Sequence, residues 1–195
     1  MVKKGCLVFR KNGKVKLSYC HRNAHLRGLG RKVVRLCRGH TAEQLNTIYE
    51  NLILVEEESP MTREQREAYK KYVPPETWTD DFTWTMALKY TKDITEPLKD
   101  GFRYLVNYES FLEAWRNRWQ YFIDLDTKNL EVYKFGLEIL CQESDIISHD
   151  TIDYPGGYDP VMVGRFPLSD IPEDWIEICE KNYRKKKIVL VDLDS

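Results

Sequence analysis

The sequence predicts a layered α/β (α+β) fold: a mostly antiparallel sheet built from β-hairpins, with helices packed on it. Three observations carry that expectation. Two β-rich runs flank Asn12-Gly13, a second such pair flanks Asp126-Thr-Lys-Asn129, and helix-start signatures fall between them.

The first pair is Gly5–Arg10 and Lys14–Cys20. A two-residue Asn-Gly turn fixes its register, pairing Lys11 with Lys14, Val8 with Leu17 and Cys6 with Tyr19. Cys6, Val8, Val15, Leu17 and Tyr19 then share one face; Leu7, Phe9, Ser18 and Cys20 share the other. Apolar residues on both faces predict a hairpin inside a covered sheet. Leu29 to Leu36 reads as a helix. Thr41-Ala-Glu-Gln44 is a capping box that opens a second helix, running to about Asn51. Leu52 to Val55 suits a short strand. Thr62-Arg-Glu-Gln65 repeats the capping box, before a charged helix that Pro74-Pro75 ends. Helical segments are expected near 80–90 and 95–116. The second hairpin pairs Tyr121–Leu125 with Leu130–Lys134, after Trp115 and Trp119, giving four or more strands.

From Ser144 to Pro160 the chain is rich in Asp, Gly and Pro and reads as a long loop, and Val161–Phe166 returns as a strand. Pro172-Glu-Asp-Trp175 has the acidic first turn of a helix. One domain is expected over 1–183. Residues 184–195, basic and then apolar, are expected as an arm or an edge strand; exposed, such an arm favours a homo-oligomer.

Composition narrows the function. The net charge of −1 argues against a general electrostatic grip on nucleic acid, so anion recognition must be local. No apolar run has the length of a membrane span and the opening residues lack a signal-peptide core, so a cytoplasmic protein without a membrane partner is expected. Cysteines at 6, 20, 37, 141 and 179 are widely spaced without metal-ligand patterns and read as reduced core thiols.

No stretch carries a specific catalytic signature. The most informative segment joins the first hairpin to the first helix, His21 to Lys32. Its glycines permit close backbone approach, helix-start N–H groups are expected to point outward, and Arg side chains add positive charge. Tyr19, His21, Asn23, His25, Arg27 and Arg31 are therefore the candidate contacts to a phosphate-bearing small molecule, with Gly28 and Gly30 giving backbone access. Trp119, Tyr121 and Tyr133 are weaker candidates that suit stacking on a base or, equally, core packing. No metal, cofactor or catalytic residue is assigned. His21 and His25 lack an acidic partner for a metal site and serve most simply as hydrogen-bond donors, while His40 and His149 look incidental.

The order Gly5-x-Leu-Val-Phe, Lys11-Asn-Gly-Lys14, Leu17-x-Tyr19-x-His21 and Gly28-Leu-Gly30 resembles a family of bacteriophage-encoded proteins of mostly unassigned function. Their opening is similar to Gly-Thr-Arg-Gly-Leu-x-Gly-Phe, a Lys-Asp/Asn-Gly turn, Thr-Tyr-Asn-His, then Asp-Ser-Tyr-Pro before Gly-Leu-Gly. The resemblance continues through His40-Thr-x-Glu-x-Leu-Asn46, Ile123–Tyr133 and Phe166-Pro-Leu-x-Asp-Ile-Pro172. Cys20 and Asn23-Ala-His-Leu26 depart from it, which implies a different ligand preference. With the basic loop and the aromatics, the resemblance implies a counter-defence protein that sequesters a nucleotide-derived host immune signal, such as an ADP-ribose derivative or a cyclic nucleotide. The layout also resembles N-terminal-nucleophile hydrolases, which implies layers in the order α, β, β, α and, as alternative function, an amidohydrolase using Cys6 after cleavage behind Gly5. An inhibitor of a host protein is the third option. Binding is favoured over catalysis.

Overall fold

The computed structural model describes residues 4–20, 22–73, 75–79, 82–84, 86–87, 94–107, 119–134 and 160–191, with side chains of the last helix described through Arg184. Strands β1 (Gly5–Lys11) and β2 (Lys14–Cys20) form the first hairpin in the expected register, with Asn12 and Gly13 at φ 51° and 71°. Both turn residues occupy the left-handed region that matches the twist of the flanking strands. The second hairpin is β5 (Trp119–Asp124) with β6 (Asn129–Lys134), and β7 (Val161–Pro167) pairs antiparallel with β6.

The five strands make one sheet in the order β2-β1-β5-β6-β7, mostly antiparallel; β1 and β5 pair in parallel and join the two hairpins. β1 is therefore interior, and its first five residues are buried on both faces. Side-chain alternation from these registers defines two faces. Leu7, Phe9, Tyr121, Ile123, Leu130, Val132, Gly164 and Phe166 share the first; Cys6, Val8, Leu17, Tyr19, Gln120, Phe122, Glu131 and Tyr133 share the second.

Helix α1 (Arg31–Arg38) and its preceding wide turn, Leu26–Gly30, lie on the first face beside the last helix, α5 (Trp175–Val191). Contacts at the glycines show this. A Cβ on Gly30 would meet the Tyr121 hydroxyl at 2.8 Å and the Trp175 ring at 2.9 Å, and one on Gly164 would meet Cys179 Sγ at 2.6 Å. Helix α2 (Ala42–Asn51) is adjacent: Lys16 Nζ donates to the carbonyls of Tyr49 and Leu52. The Thr41/Gln44 and Thr62/Gln65 capping boxes both form, the second opening α3 (Arg63–Tyr69). Strand β3 (Ile53–Val55) pairs in parallel with β4 (Tyr104–Val106), a separate two-stranded sheet after the short helix α4 (Thr95–Lys99). Among the described residues the strands thus form sheets of five and two rather than two large stacked layers.

Three local expectations change. The helix expected over 95–116 stops at Lys99, because Gly101 at φ 78° turns the chain into β4; residues 108–118 lie outside the described set. α3 ends at Tyr69, and a turn separates it from the proline pair. Residues 184–191 form neither arm nor strand but continue α5 to Val191, whose internal hydrogen bonds satisfy the backbone without a strand partner.

Candidate functional site

The loop after β2 is built from its own backbone. Asn23 sits at φ 64°, and its carbonyl accepts from Leu29 N at 2.9 Å. The His25 carbonyl accepts from Gly28 N at 2.9 Å and Gly30 N at 3.3 Å, and Leu26 O accepts from Arg31 N. The amides of residues 28–31, expected to face an anion, are therefore spent inside the turn. Gly28 is required for the same reason: a Cβ there would lie 2.0 Å from the Asn23 carbonyl oxygen. Both glycines do allow close approach, but what approaches is the chain itself, so neither offers backbone to a ligand.

The predicted aromatics divide across the sheet. Tyr121 is fully buried on the first face, where its hydroxyl donates to the Ala24 carbonyl at 2.9 Å; burial pushes its phenol well above the ordinary range. Trp119, on the same face, packs under Lys134 Nζ, 5.4 Å from the ring centroid. Tyr19 and Tyr133 project to the second face, opposite the loop. Tyr133 donates to Glu131 Oε2 at 2.9 Å and meets Phe122 edge-on at 5.2 Å. Core packing accounts for Trp119 and Tyr121, and neither forms a stacking platform beside the loop. His21 lies outside the described residues, as do Cys141, His149 and the segment around Tyr154–Tyr158.

What remains exposed at the loop is polar and cationic. His25 Nε2 is 2.8 Å from Asn23 Oδ1, which fixes both side chains at the surface. Arg22 and Arg31 are exposed, and their guanidinium groups have no hydrogen bond or ion pair among the described residues. Arg27, also exposed, reaches Glu180 of α5 at 3.3 Å. These five residues lie within or directly beside the turn that the buried glycines close.

Sequence reasoning missed two features. The first is an ionic network on the second face. Arg10 pairs with Asp124 at 2.5 Å and Glu131 at 2.8 Å, Arg165 reaches Glu131 at 3.4 Å, and both carboxylates are nearly fully buried. Burial drives the Asp124 carboxyl up, but hydrogen bonds from Arg10 and Thr127 outweigh it and hold it below the usual carboxylate range. With both acids satisfied, the network is a structural clamp on β1, β5, β6 and β7. The second feature is segregation of charge along the chain: the first 42 residues contain twelve Lys and Arg and no Asp or Glu. A whole-chain net charge conceals this, whereas a windowed count reveals it.

The thiols are poor nucleophiles. Cys6 lies inside β1 with no exposure, and burial pushes its thiol far above the ordinary range. Cys37 and Cys179 are pushed up to about 12, by burial first. The N-terminal-nucleophile alternative would need Cys6 at an accessible chain end, whereas here it is the fully buried second residue of β1. Among the described residues no cluster of His, Cys, Asp or Glu is placed to hold a metal ion, and no helix is long and apolar enough to cross a membrane. A groove of about 680 Å³ lies at the far end of α1, lined by Arg38, His40, Thr41, Lys128 and Asp170 among others. Its charges are mixed, with Lys128 3.8 Å from Glu43, and it includes none of the loop residues above.

No protein-family model, curated protein or solved structure matches this chain. The phage-family resemblance therefore rests on the quoted motifs alone.

Proposed function

We propose that this protein acts by binding rather than by catalysis, as a phage counter-defence protein that sequesters a nucleotide-derived host signal bearing phosphate groups. The observation that carries the reading is the pair of exposed guanidinium groups of Arg22 and Arg31, without partners among the described residues, which flank the hydrogen-bonded Asn23 and His25 in the chain. Guanidinium groups suit phosphate because their fork of donors matches two oxygens at once. A sequestering protein needs such contacts but no activated nucleophile, which agrees with the buried thiols. The contact set is then Arg22, Asn23, His25, Arg27 and Arg31, with Gly28, Gly30 and Tyr121 shaping the turn from beneath.

The test is to incubate purified protein with ADP-ribose derivatives and cyclic nucleotides, remove free ligand, release bound material by heat, and identify it by mass spectrometry. Intact ligand recovered from wild type and lost in R22A/R31A supports sequestration. Altered ligand points to an enzyme, and no retention from the whole panel rejects a small-molecule site.

A further inference from the structure

Strand β3 is the outer member of the two-stranded sheet, and no strand pairs with its far side among the described residues. Ile53 and Leu54 are 44% and 40% exposed, two of the four large apolar side chains left open among the described residues. Consecutive strand residues point to opposite faces, so burying both takes a body that wraps the edge. Soluble chains blunt or cover such an edge. The next residues are Glu56-Glu57-Glu58, of which Glu56 and Glu58 are exposed. From Gly39 to Thr62 the chain holds five Glu and no Lys, Arg or Asp. Arg103, which precedes β4, is drawn to Glu64 at 3.6 Å. β3 therefore offers an apolar edge that runs into an acidic turn.

The C-terminal end of the chain carries the opposite charge in the opposite order. Arg184-Lys-Lys-Lys187 is followed by Ile188-Val-Leu-Val191, and residues 181–195 hold five Lys and Arg against two Asp. The backbone stays helical to Val191, so the basic residues make about one turn and the apolar ones the next. A helix that packs on a single sheet needs one apolar stripe, and four apolar residues in succession exceed it. The tie points of α5 advance towards the end of the sheet. Cys179 lies against Gly164, Asn182 donates to the Val163 carbonyl at 2.9 Å, and Lys134 Nζ stands 3.6 Å from the Tyr183 ring. Lys134 belongs to the last rung, paired with Trp119 and Val161. The eight residues after Tyr183 carry about 12 Å of helix past that rung.

We infer that the β3 edge and its acidic turn form a docking surface for the end of α5 from a second copy of this chain. Charge complementarity selects the occupant: with the helix running opposite to β3, its basic turn meets Glu56–Glu58 as its apolar turn covers Ile53 and Leu54. Glu57 and Glu58 have interactions of their own, and the match rests on the charge of the segment rather than on free carboxylates. Within one chain the two surfaces lie apart. α5 follows β7, one edge of the five-stranded sheet. β3 and β4 lie against β2, the other edge, where Lys16 Nζ donates to the Leu52 carbonyl at 2.7 Å and Ser18 shares a small cavity with Tyr104, Leu105 and Val106. Four strand spacings, about 19 Å, separate those edges, and a short helix end directed past the sheet does not cross them. The contact joins two different surfaces, so it is heterologous. It involves none of the residues of the small-molecule site.

Sedimentation velocity of the full chain over a concentration series tests the inference. Wild type is expected to form larger species as concentration rises, with salt weakening them. I53D/L54D should weaken self-association about tenfold or more, as should E56K/E57K/E58K on the docking surface and K185E/K186E/K187E on the helix end. Mixing decides the occupant. The two charge-reversed proteins, each weak alone, should associate with one another to within about threefold of wild type, because the reversed helix end of one meets the reversed turn of the other. Recovery in the mixture also shows that both variants are folded. A wild type that stays monomeric to about 1 mM, association unmoved by either charge reversal, or a mixture as weak as its components would overturn the inference.

Discussion

The buried turn at Asn23–Gly30 and the outer face of α1 belong to one stretch of basic and glycine-containing sequence, yet they serve opposite ends. In the turn, amides and glycines are consumed by the chain itself, locking the loop onto Tyr121 and Trp175. On the helix, Arg31 and Arg35 stand away from the core, with no side-chain partner among the described residues. The glycines therefore report on folding, and the arginines are the part left for the proposed binding. A motif that reads as one anion cradle in sequence separates in space into a structural half and an exposed cationic half.

Substitutions on the two halves should part accordingly. Gly28→Ala forces a Cβ to within 2.0 Å of a backbone oxygen that cannot move without opening the turn, so a loss of about 3–5 kcal/mol is expected in denaturant unfolding. Asp124→Asn on the second face provides an interior standard. It leaves Arg10 with a poorer partner and should cost about 2–4 kcal/mol at neutral pH, less than a fully buried pair would because Arg10 is partly exposed. The sign of its pH dependence follows from the lowered carboxyl. The wild-type contribution is complete above the unfolded value of about 3.9 and is lost as pH falls through the native one, so the two proteins should converge in acid. Tyr121→Phe removes only the hydrogen bond to Ala24 and should cost about 1 kcal/mol. Arg31→Glu should have the smallest effect, within about 0.5 kcal/mol of wild type, because the amides at the start of α1 already have partners in the turn; a larger loss of stability would assign Arg31 to folding instead.

Much of the fold was legible because local rules and tertiary structure agree. The Asn12-Gly13 turn fixed the register of β1 and β2 to the residue, and two capping boxes marked helix starts at Ala42 and Arg63. The parallel joining of β1 to β5 left no local signal, since it depends on residues more than a hundred positions apart. The apolar run at Ile188–Val191 misled because strand and helix propensity are hard to separate in a short apolar segment, and continuity with α5 decided it. At the candidate site, residue types were readable but directions were not. Nothing in the sequence shows that the His25 carbonyl takes the amides of Gly28 and Gly30, or that Tyr19 and Tyr121 project to opposite faces.

The division between a folding half and a binding half is tested most directly by measuring thermal unfolding and ligand retention together in Arg22→Glu/Arg31→Glu. The account predicts a melting temperature no lower than that of wild type, with loss of the nucleotide that heat releases from the wild-type protein. A double variant that retains the ligand, or that loses it only because it unfolds, would contradict it.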